Sequence, residues 1–512
     1  MTPTKPVPSG RNAWLVILPL CKLLLHLATS SGYGYFRDEL YYLACAEHPA
    51  WGYVDHPPFS ILLLWGMRSL FGASLLALRL LPAIAGAGTV LLTGLITRRL
   101  GGGHLAQAMA MLCALISPVF LGVDHYYSMN AFDLLLWPLI AYTLIGVLQS
   151  PRQERWLQLG VVLGIGLLNK ISVLWVGCGL LVGLVLSRRG RLLGTSGPYL
   201  AAAVAFLIFL PNLLWQATHG WPTIEFLRNA AGIKMAATSP WAFLMGQVTA
   251  IGPTTLIVWA PGLIYLWVSG AMRPVRPLAW IYVVIFAILA LSGSSRVNYL
   301  APAYTWLFAG GALFWERFGH RLRARILAPA MMVLVVLPGL FAMPLGLPIL
   351  RVERFIRYSE MLGISIPNAE KTEEGPLHQF FADMHGWEEL VMTIRDVYDA
   401  LPPEDRAEAA ILTSNYGQAG AIDFFGRRYG LPQAISGHNN YWLWGPRGHS
   451  GRVMIVLARN TERLRYLFEE SEEVARTSCR YCMPYENDVP VWVCRKPRVS
   501  LDEIWPELRR FI

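Results

Sequence analysis

Residues 14–58 read WLVILPLCKLLLHLATSSGYGYFRDELYYLACAEHPAWGYVDHPP. An apolar run from Trp14 to Ala28 comes first, and as a helix it approaches the ~30 Å of a bilayer's hydrocarbon core. It stops at Ser30-Ser31-Gly32 rather than at a small-residue cleavage site, so it reads as an uncleaved first span. Ionisable groups then crowd the loop. Arg37, Asp38 and Glu39 lie just past the span, and Asp55 and His56 lie just before Pro57-Pro58 and the next apolar run. Carboxylates at that depth are costly to strip of water and are expected to face a wet cavity.

Working outward, the whole chain repeats the theme of long apolar runs broken by short polar loops. Of 512 residues 54% are hydrophobic and only 15% charged, against roughly 25% charged in ordinary soluble domains. Spans are expected near 13–30, 76–97, 104–121, 131–149, 157–168, 171–186, 198–216, 241–269, 278–292, 299–315 and 326–347, about eleven in all. The pattern defines a mostly α, polytopic membrane protein. With the N-terminus inside, fifteen basic residues fall in cytoplasmic segments: Lys5, Arg11, Arg98, Arg99, Arg152, Arg155, Arg188, Arg189, Arg191, Arg273, Arg276, Arg317, Arg321, Arg323 and Arg325. Five, namely Arg37, Lys170, Arg228, Lys234 and Arg296, fall outside. The positive-inside rule then fixes the orientation and accounts for the net charge of +10 without a nucleic-acid partner.

An odd number of spans leaves residues 350–512 outside, after a transmembrane domain of residues 1–349 whose first outer loop is 31–58. Charged residues return in this tail, and short β-like runs at 409–413, 453–458 and 489–493 alternate with helical stretches near 418–428 and 462–469. That is the pattern of a small α/β domain. Cys21, Cys45, Cys113 and Cys178 read as small buried hydrophobes. The spacing of Cys479 and Cys482 suits zinc, a redox pair or a disulfide.

Further polar residues stand at the expected outer ends of spans: Asp124, His125 and Asp133, Asn169-Lys170, and Arg296 with Asn298 and Tyr299. Charges of both signs at one membrane face suit an anionic lipid headgroup held beside a carboxylate. The run Asp38-Glu39, a Tyr-rich helix and Asp55-His56-Pro57-Pro58 closely resembles the first outer loop of the bacterial protein-mannosyltransferase-like family, glycosyltransferase family 39. More distantly it is similar to the lipid A aminoarabinose transferases, which have Glu-Lys-Pro-Pro in place of Asp-His-Pro-Pro. The resemblance continues through Asp133, Leu168-Asn169-Lys170 and Arg296-Val297-Asn298-Tyr299-Leu300-Ala301-Pro302, and into the tail at Asn415-Tyr416-Gly417-Gln418-Ala419-Gly420 and Ser436-Gly437-His438-Asn439-Asn440-Tyr441-Trp442.

The resemblance implies a GT-C fold in a bacterial inner membrane, with the tail in the periplasm and a cavity open to lipid and to the periplasm. It implies a polyprenyl-phosphate sugar as donor, and as acceptor a protein hydroxyl, lipid A or another envelope glycan. It also makes Asp38 the catalytic carboxylate. A carboxylate within reach of an acceptor hydroxyl takes its proton as the anomeric bond to phosphate breaks, and fixed cations then stabilise the leaving phosphate.

His56, Lys170 and Arg296 are the candidate cations. A histidine is a weaker permanent cation than lysine, and Lys170 reads equally as a residue snorkelling to the interface. Asp55 either orients His56 or takes part in a metal site; no cofactor is certain, and a divalent metal stays open although nothing in the sequence indicates one. Glu39 is either a second acid/base or a partner for Arg37, and Asp133 and Tyr299 either serve the acceptor or support the Asp38 loop. The aromatic and amide stretch from His438 to Trp444 suits either a sugar surface or a core. Two competing functions use similar residues: a flippase or transporter for a lipid-linked substrate, and an inactive scaffold.

Overall fold

The structure is a computed structural model that describes residues 12–321, 326–364 and 368–512; Lys5, Arg11, Arg323 and Arg325 therefore lie outside the described residues. The chain forms two compact units. The first draws on residues up to Ser30, Leu76–Leu214 and Ala237–Ile349, and the second on Ser31–Leu75, Trp215–Ala236 and Leu350–Ile512.

The first unit is helical throughout. Each apolar run in it forms a helix or a helix pair, because a backbone in lipid must satisfy its own hydrogen bonds. Among the described residues four helices are long and apolar enough to cross a membrane alone: Leu75–Arg99, Met129–Gln149, Ser196–Thr218 and Leu327–Leu345. A fifth crossing counts if Pro240–Ile251 and Pro253–Val268 act together. The run at 241–269, read from sequence as one span, is bent by 97° at the break between these two helices. Gly252 turns the chain at φ +102°, and Pro253 has no N–H to continue the helix. The 104–121 run likewise breaks at Ser117, which the following Pro118 pushes out of the helical region.

Large apolar side chains such as Phe206, Leu207, Leu334 and Leu337 remain exposed, which suits lipid and not water. Cys21 and Cys178 are on this exposed surface, while Cys45 and Cys113 are buried. Cys21 and Cys178 depart from the expected burial, because their helices also present residues to the outer surface, whereas Cys113 here and Cys45 in the second unit are buried as expected. Inside the unit, small residues allow close approach. A Cβ on Gly311 would come within 1.8 Å of the Val258 carbonyl oxygen, and one on Gly262 within 2.0 Å of that of Leu307. The helices Leu256–Val268 and Tyr304–Arg321 thus meet backbone to backbone. Lys22 and Asp124 form a fully buried ion pair at 3.0 Å that ties the first helix to the turn before Met129.

The second unit is built on a five-stranded sheet: β1 (Ala409–Thr413), β2 (Ala434–Ser436), β3 (Val453–Leu457), β4 (Phe468–Arg476) and β5 (Pro490–Pro497), in the order β2-β1-β3-β5-β4. β1 runs parallel to β2 and β3, while β5 pairs antiparallel with β3 and β4. Every residue of β3, VMIVL, is buried, as expected of a strand covered on both faces. β4, FEESEEVAR, is an edge strand whose exposed glutamates oppose edge-to-edge pairing. The helical reading of 462–469 is two residues too long, since the Thr461–Leu467 helix gives way to β4 at Phe468.

Helices Arg37–Glu47 and Phe59–Phe71, from the first outer loop, belong to this unit. The helix Tyr416–Phe425 lies against Arg37–Glu47 at two glycines. A Cβ on Gly417 would meet the Arg37 side chain at 2.7 Å, and one on Gly420 would meet the Leu40 backbone at 2.8 Å.

Candidate active site

In the second unit the polar residues gather beyond the carboxyl ends of the parallel strands β1 and β2, where open α/β sheets place their ligands. β1 leads into Asn415 and Tyr416, and β2 into His438 and Asn440. Asn415 caps the helix that follows, its side chain accepting from the Gln418 N–H at 3.0 Å. The cap turns the Tyr416 hydroxyl to the first outer loop, where it donates to Asp38 Oδ1 at 2.9 Å.

Asp38 stands in the first turn of its helix, a position that favours negative charge. Its side chain retains 27% of its exposure, whereas that of the neighbouring Arg37 retains 9%. The Arg37 Nε lies 3.5 Å from Asp38 Oδ1. The hydrogen bond from Tyr416 and the approach of Arg37 both fall on Oδ1, and among the described residues no hydrogen bond falls on Oδ2.

Arg37 is the hub of this cluster. It donates to the Tyr485 hydroxyl at 2.6 Å and to Glu370 at 3.2 Å, and it lies 3.7 Å from Asp383. Lys234 lies 3.7 Å from the same Glu370 oxygen. Burial alone would depress the Arg37 guanidinium, but Asp383, Tyr416, Tyr485 and Glu370 hold its pKa well above the ordinary value. Burial lifts the Asp383 carboxyl to about 7 against the pull of Arg37. Burial also raises the Tyr416 phenol, with Arg37 opposing and Asp38 adding, so the hydroxyl keeps its proton and donates.

Glu39 is fully buried and caps its own helix: Oε2 accepts from the Phe36 N–H at 2.8 Å. Asp55 Oδ1 accepts from Tyr41 at 2.8 Å, and Asn440 holds the same loop by accepting from the Val54 N–H at 3.0 Å. His56 donates from Nδ1 to the Pro57 carbonyl at 3.1 Å, and its Nε2 lies 3.9 Å from Asp55 Oδ1. Its ring is buried against Tyr42 and Tyr53, at 4.7 and 4.9 Å between centroids, so it is not presented as an open cation. Among the described residues no three His, Cys, Asp or Glu side chains group as a metal would require.

The remaining sequence candidates lie in the first unit. Lys170 follows the Gln153–Asn169 helix and donates to Asn130 at 2.8 Å. It lies 3.7 Å from Asp133 and 4.4 Å from the centre of the Tyr299 ring. Asp133 also accepts from Ser172 at 3.0 Å. Arg296 stands immediately before the Val297–Ala303 turn that carries Tyr299. The sequence analysis names Asp38, through the family resemblance, and Lys170 among its candidates, and does not name Glu370, Asp383 or Tyr485. They are scattered over more than a hundred residues and only the fold collects them.

One unit of apolar helices, four of them long enough to cross a membrane, and one α/β unit that holds a partly exposed carboxylate make up the described residues. Residues 55–215 match the family model described as dolichyl-phosphate-mannose-protein mannosyltransferase. The chain is 24% identical over 319 residues to lipid A galacturonosyltransferase RgtD of Rhizobium johnstonii, covering 60% of this chain and 65% of that one. It is 26% identical over 322 residues to undecaprenyl phosphate-alpha-4-amino-4-deoxy-L-arabinose arabinosyl transferase 2 of Pseudomonas fluorescens, covering 58% and 53%. The chain therefore spans about two thirds and about half of the length of these curated relatives. ArnT from Cupriavidus metallidurans, solved bound to undecaprenyl phosphate, shares the fold with a TM-score of 0.63 at 13% identity, over 94% of this chain and 98% of that one. Residues 55–215 are thus similar to a protein-mannosyltransferase family, and the chain as a whole shares the fold of a GT-C membrane protein. Nothing in the fold or the relatives favours the transporter alternative.

Proposed function

We propose that this protein is an inverting glycosyltransferase that moves a sugar from a polyprenyl-phosphate carrier to an envelope acceptor such as lipid A, another glycan or a protein hydroxyl. The proposal includes about eleven crossings of a bacterial inner membrane and a periplasmic segment 350–512 that completes the carboxylate site. The observation that carries it is the Asp38 carboxylate, held through one oxygen by Tyr416 and, among the described residues, without a hydrogen bond at the other.

In this reading Asp38 Oδ2 accepts the proton of the acceptor hydroxyl while the acceptor oxygen attacks the anomeric carbon. The bond from that carbon to the phosphate oxygen breaks with its electrons, and the polyprenyl phosphate leaves from the opposite face. Lys170 and Arg296 offset the phosphate charge. His56 and Asp55 hold the loop before Pro57, Arg37 and Tyr416 position Asp38, and Asp133 and Tyr299 hold Lys170.

The test compares Asp38→Asn with Glu39→Gln in the same membranes, with turnover and donor affinity measured separately. Asp38→Asn keeps the shape and removes the base, so turnover should fall by roughly 10² to 10⁴ while donor binding persists. Near-normal turnover in that variant would sink the assignment. Loss confined to Glu39→Gln would move the role to the neighbouring residue.

A further inference from the structure

Cys479 and Cys482 lie in the hairpin loop between β4 and β5, outside everything assigned above. The loop is strongly ordered by its own bonds. Thr477 and Val489 pair at 3.0 Å, the Thr477 hydroxyl donates to the Glu486 carbonyl at 3.0 Å, and the Cys479 N–H donates to Asn487 at 2.8 Å. The same loop presents Tyr485 to Arg37 and Glu486 to the side chains of Asn415 and Gln418.

The two cysteines share one turn. The Cys482 N–H points to Cys479 Sγ at 3.1 Å, and Cys482 Sγ lies 3.7 Å from the Cys479 carbonyl oxygen. Both pack on Gly386, where a Cβ would lie 2.8 Å from Cys479 Sγ and 3.1 Å from Cys482 Cβ. Gly386 has φ +91° and precedes the Trp387–Ala400 helix, so the Cys479 sulfur also faces the start of a helix, an environment that favours thiolate. Cys479 is partly exposed and Cys482 buried, the arrangement of an attacking and a resolving thiol. Hydrogen bonding from the Cys482 thiol draws the Cys479 thiol down to about 7, and the same contact raises that of Cys482.

We propose that Cys479 and Cys482 are a thiol–disulfide exchange pair whose disulfide ties down the hairpin loop that holds Tyr485 and Glu486. The oxidant is the disulfide of a partner protein in the envelope. The Cys479 thiolate attacks one of its sulfurs, breaking the partner's S–S bond and expelling one partner thiolate. Cys482 then loses its proton and attacks the Cys479 sulfur, the mixed disulfide breaks, and the second partner thiolate leaves. Two electrons pass to the partner, which becomes a dithiol. Because the loop closed between positions 479 and 482 is so short, the bond adds little chain-entropy stabilisation and should be readily reduced.

The full-length protein, purified in detergent without reductant, is equilibrated in glutathione buffers of defined ratio, acid-quenched, denatured, alkylated and digested with trypsin. Arg480 separates the two cysteines, so a disulfide keeps peptides Thr477–Arg480 and Tyr481–Arg495 joined, and Cys494 in the second peptide is an internal control that takes the alkylating label. Joined peptides are expected in oxidised buffer, and in excess reduced glutathione separated peptides, Thr477–Arg480 with one label and Tyr481–Arg495 with two. Free thiols even in oxidised buffer would overturn the inference, as would a link that survives excess reduced glutathione. The readout is thiol chemistry alone, so its outcome is separate from that of the proposed glycosyl transfer.

Discussion

Asp383 shows how the acid cluster around Arg37 is balanced. Arg37 and Lys234 face Asp38, Glu370 and Asp383, so carboxylates outnumber cations, and the most deeply buried of them yields first. An Asp carboxyl lifted to about 7 in the folded protein holds a proton that the unfolded chain, with a pKa near 3.9, has released. Stability contributed by that proton is lost as pH rises from about 4 to about 7 and changes little above. Thermal unfolding of the detergent-solubilised protein should therefore show a midpoint that falls across this window, and Asp383→Asn should flatten the fall. An identical slope in the variant would place the titrating group elsewhere. The cations divide by environment in the same way. Lys170→Ala and Arg296→Ala should weaken binding of a polyprenyl-phosphate donor by roughly ten- to a hundredfold, the value of a charge-assisted hydrogen bond. His56→Ala should instead leave a void between Tyr42 and Tyr53 and lower the unfolding midpoint with donor affinity nearly kept. Unchanged donor affinity in both Lys170→Ala and Arg296→Ala would assign those residues to folding or topology.

At the scale of elements, the carboxylate is placed by a helix-on-helix contact made possible by Gly417 and Gly420, three residues apart on the Tyr416–Phe425 helix and so on one face. Valine at position 420 would drive its side chain into the Leu40 backbone, where even a Cβ comes within 2.8 Å. The expected outcome for Gly420→Val is a displaced Asp38–Tyr416 pair and turnover reduced by tenfold or more. Because Gly420 lies in the second unit, the apolar helices of the first should still insert, and the protein should purify as a monodisperse species. Normal turnover in Gly420→Val would show that the contact does not position the carboxylate. This contact also marks the limit of what the sequence makes legible. The apolar runs, β1, β3 and the Arg37–Glu47 helix follow from periodicity and composition, since each is decided by its own residues. The bend at Gly252-Pro253 lies inside a continuous apolar run, and a hydropathy window averages over it. β2, three residues long, carries no periodic signal, and β4 with its run of glutamates lacks apolar alternation, so the helical reading of 462–469 extends into its first two residues. Asp38 is legible because it stands in a loop that resembles a known family, beside a span where carboxylates are costly, whereas Glu370 and Asp383 sit in a charged tail where acids are ordinary.

At the scale of the molecule, orientation rests on where basic side chains stop. Positive charge resists transfer across the inner membrane, so short loops rich in arginine stay inside. Arg98-Arg99 end one apolar helix and Arg188-Arg189-Arg191 closely follow another, at the positions where this rule acts most strongly. Adding Arg68, paired with Glu47, and Arg79, bonded to the Ser30 carbonyl, to the five outer cations still leaves fifteen against seven. The helix Val173–Leu186, at fourteen residues, rises only about 21 Å, so the parity of the crossings is the quantity to measure. A reporter that is active only in the cytoplasm, joined after residue 350, should be silent, and one joined after Arg99 should be active. The second fusion guards against silence caused by poor expression. Activity at both points would make the number of crossings between them even and put segment 350–512 in the cytoplasm. The Asp38 site, which shares a folded unit with that segment, would then stand on the wrong side for a periplasmic acceptor, and the proposed reaction would fall with it.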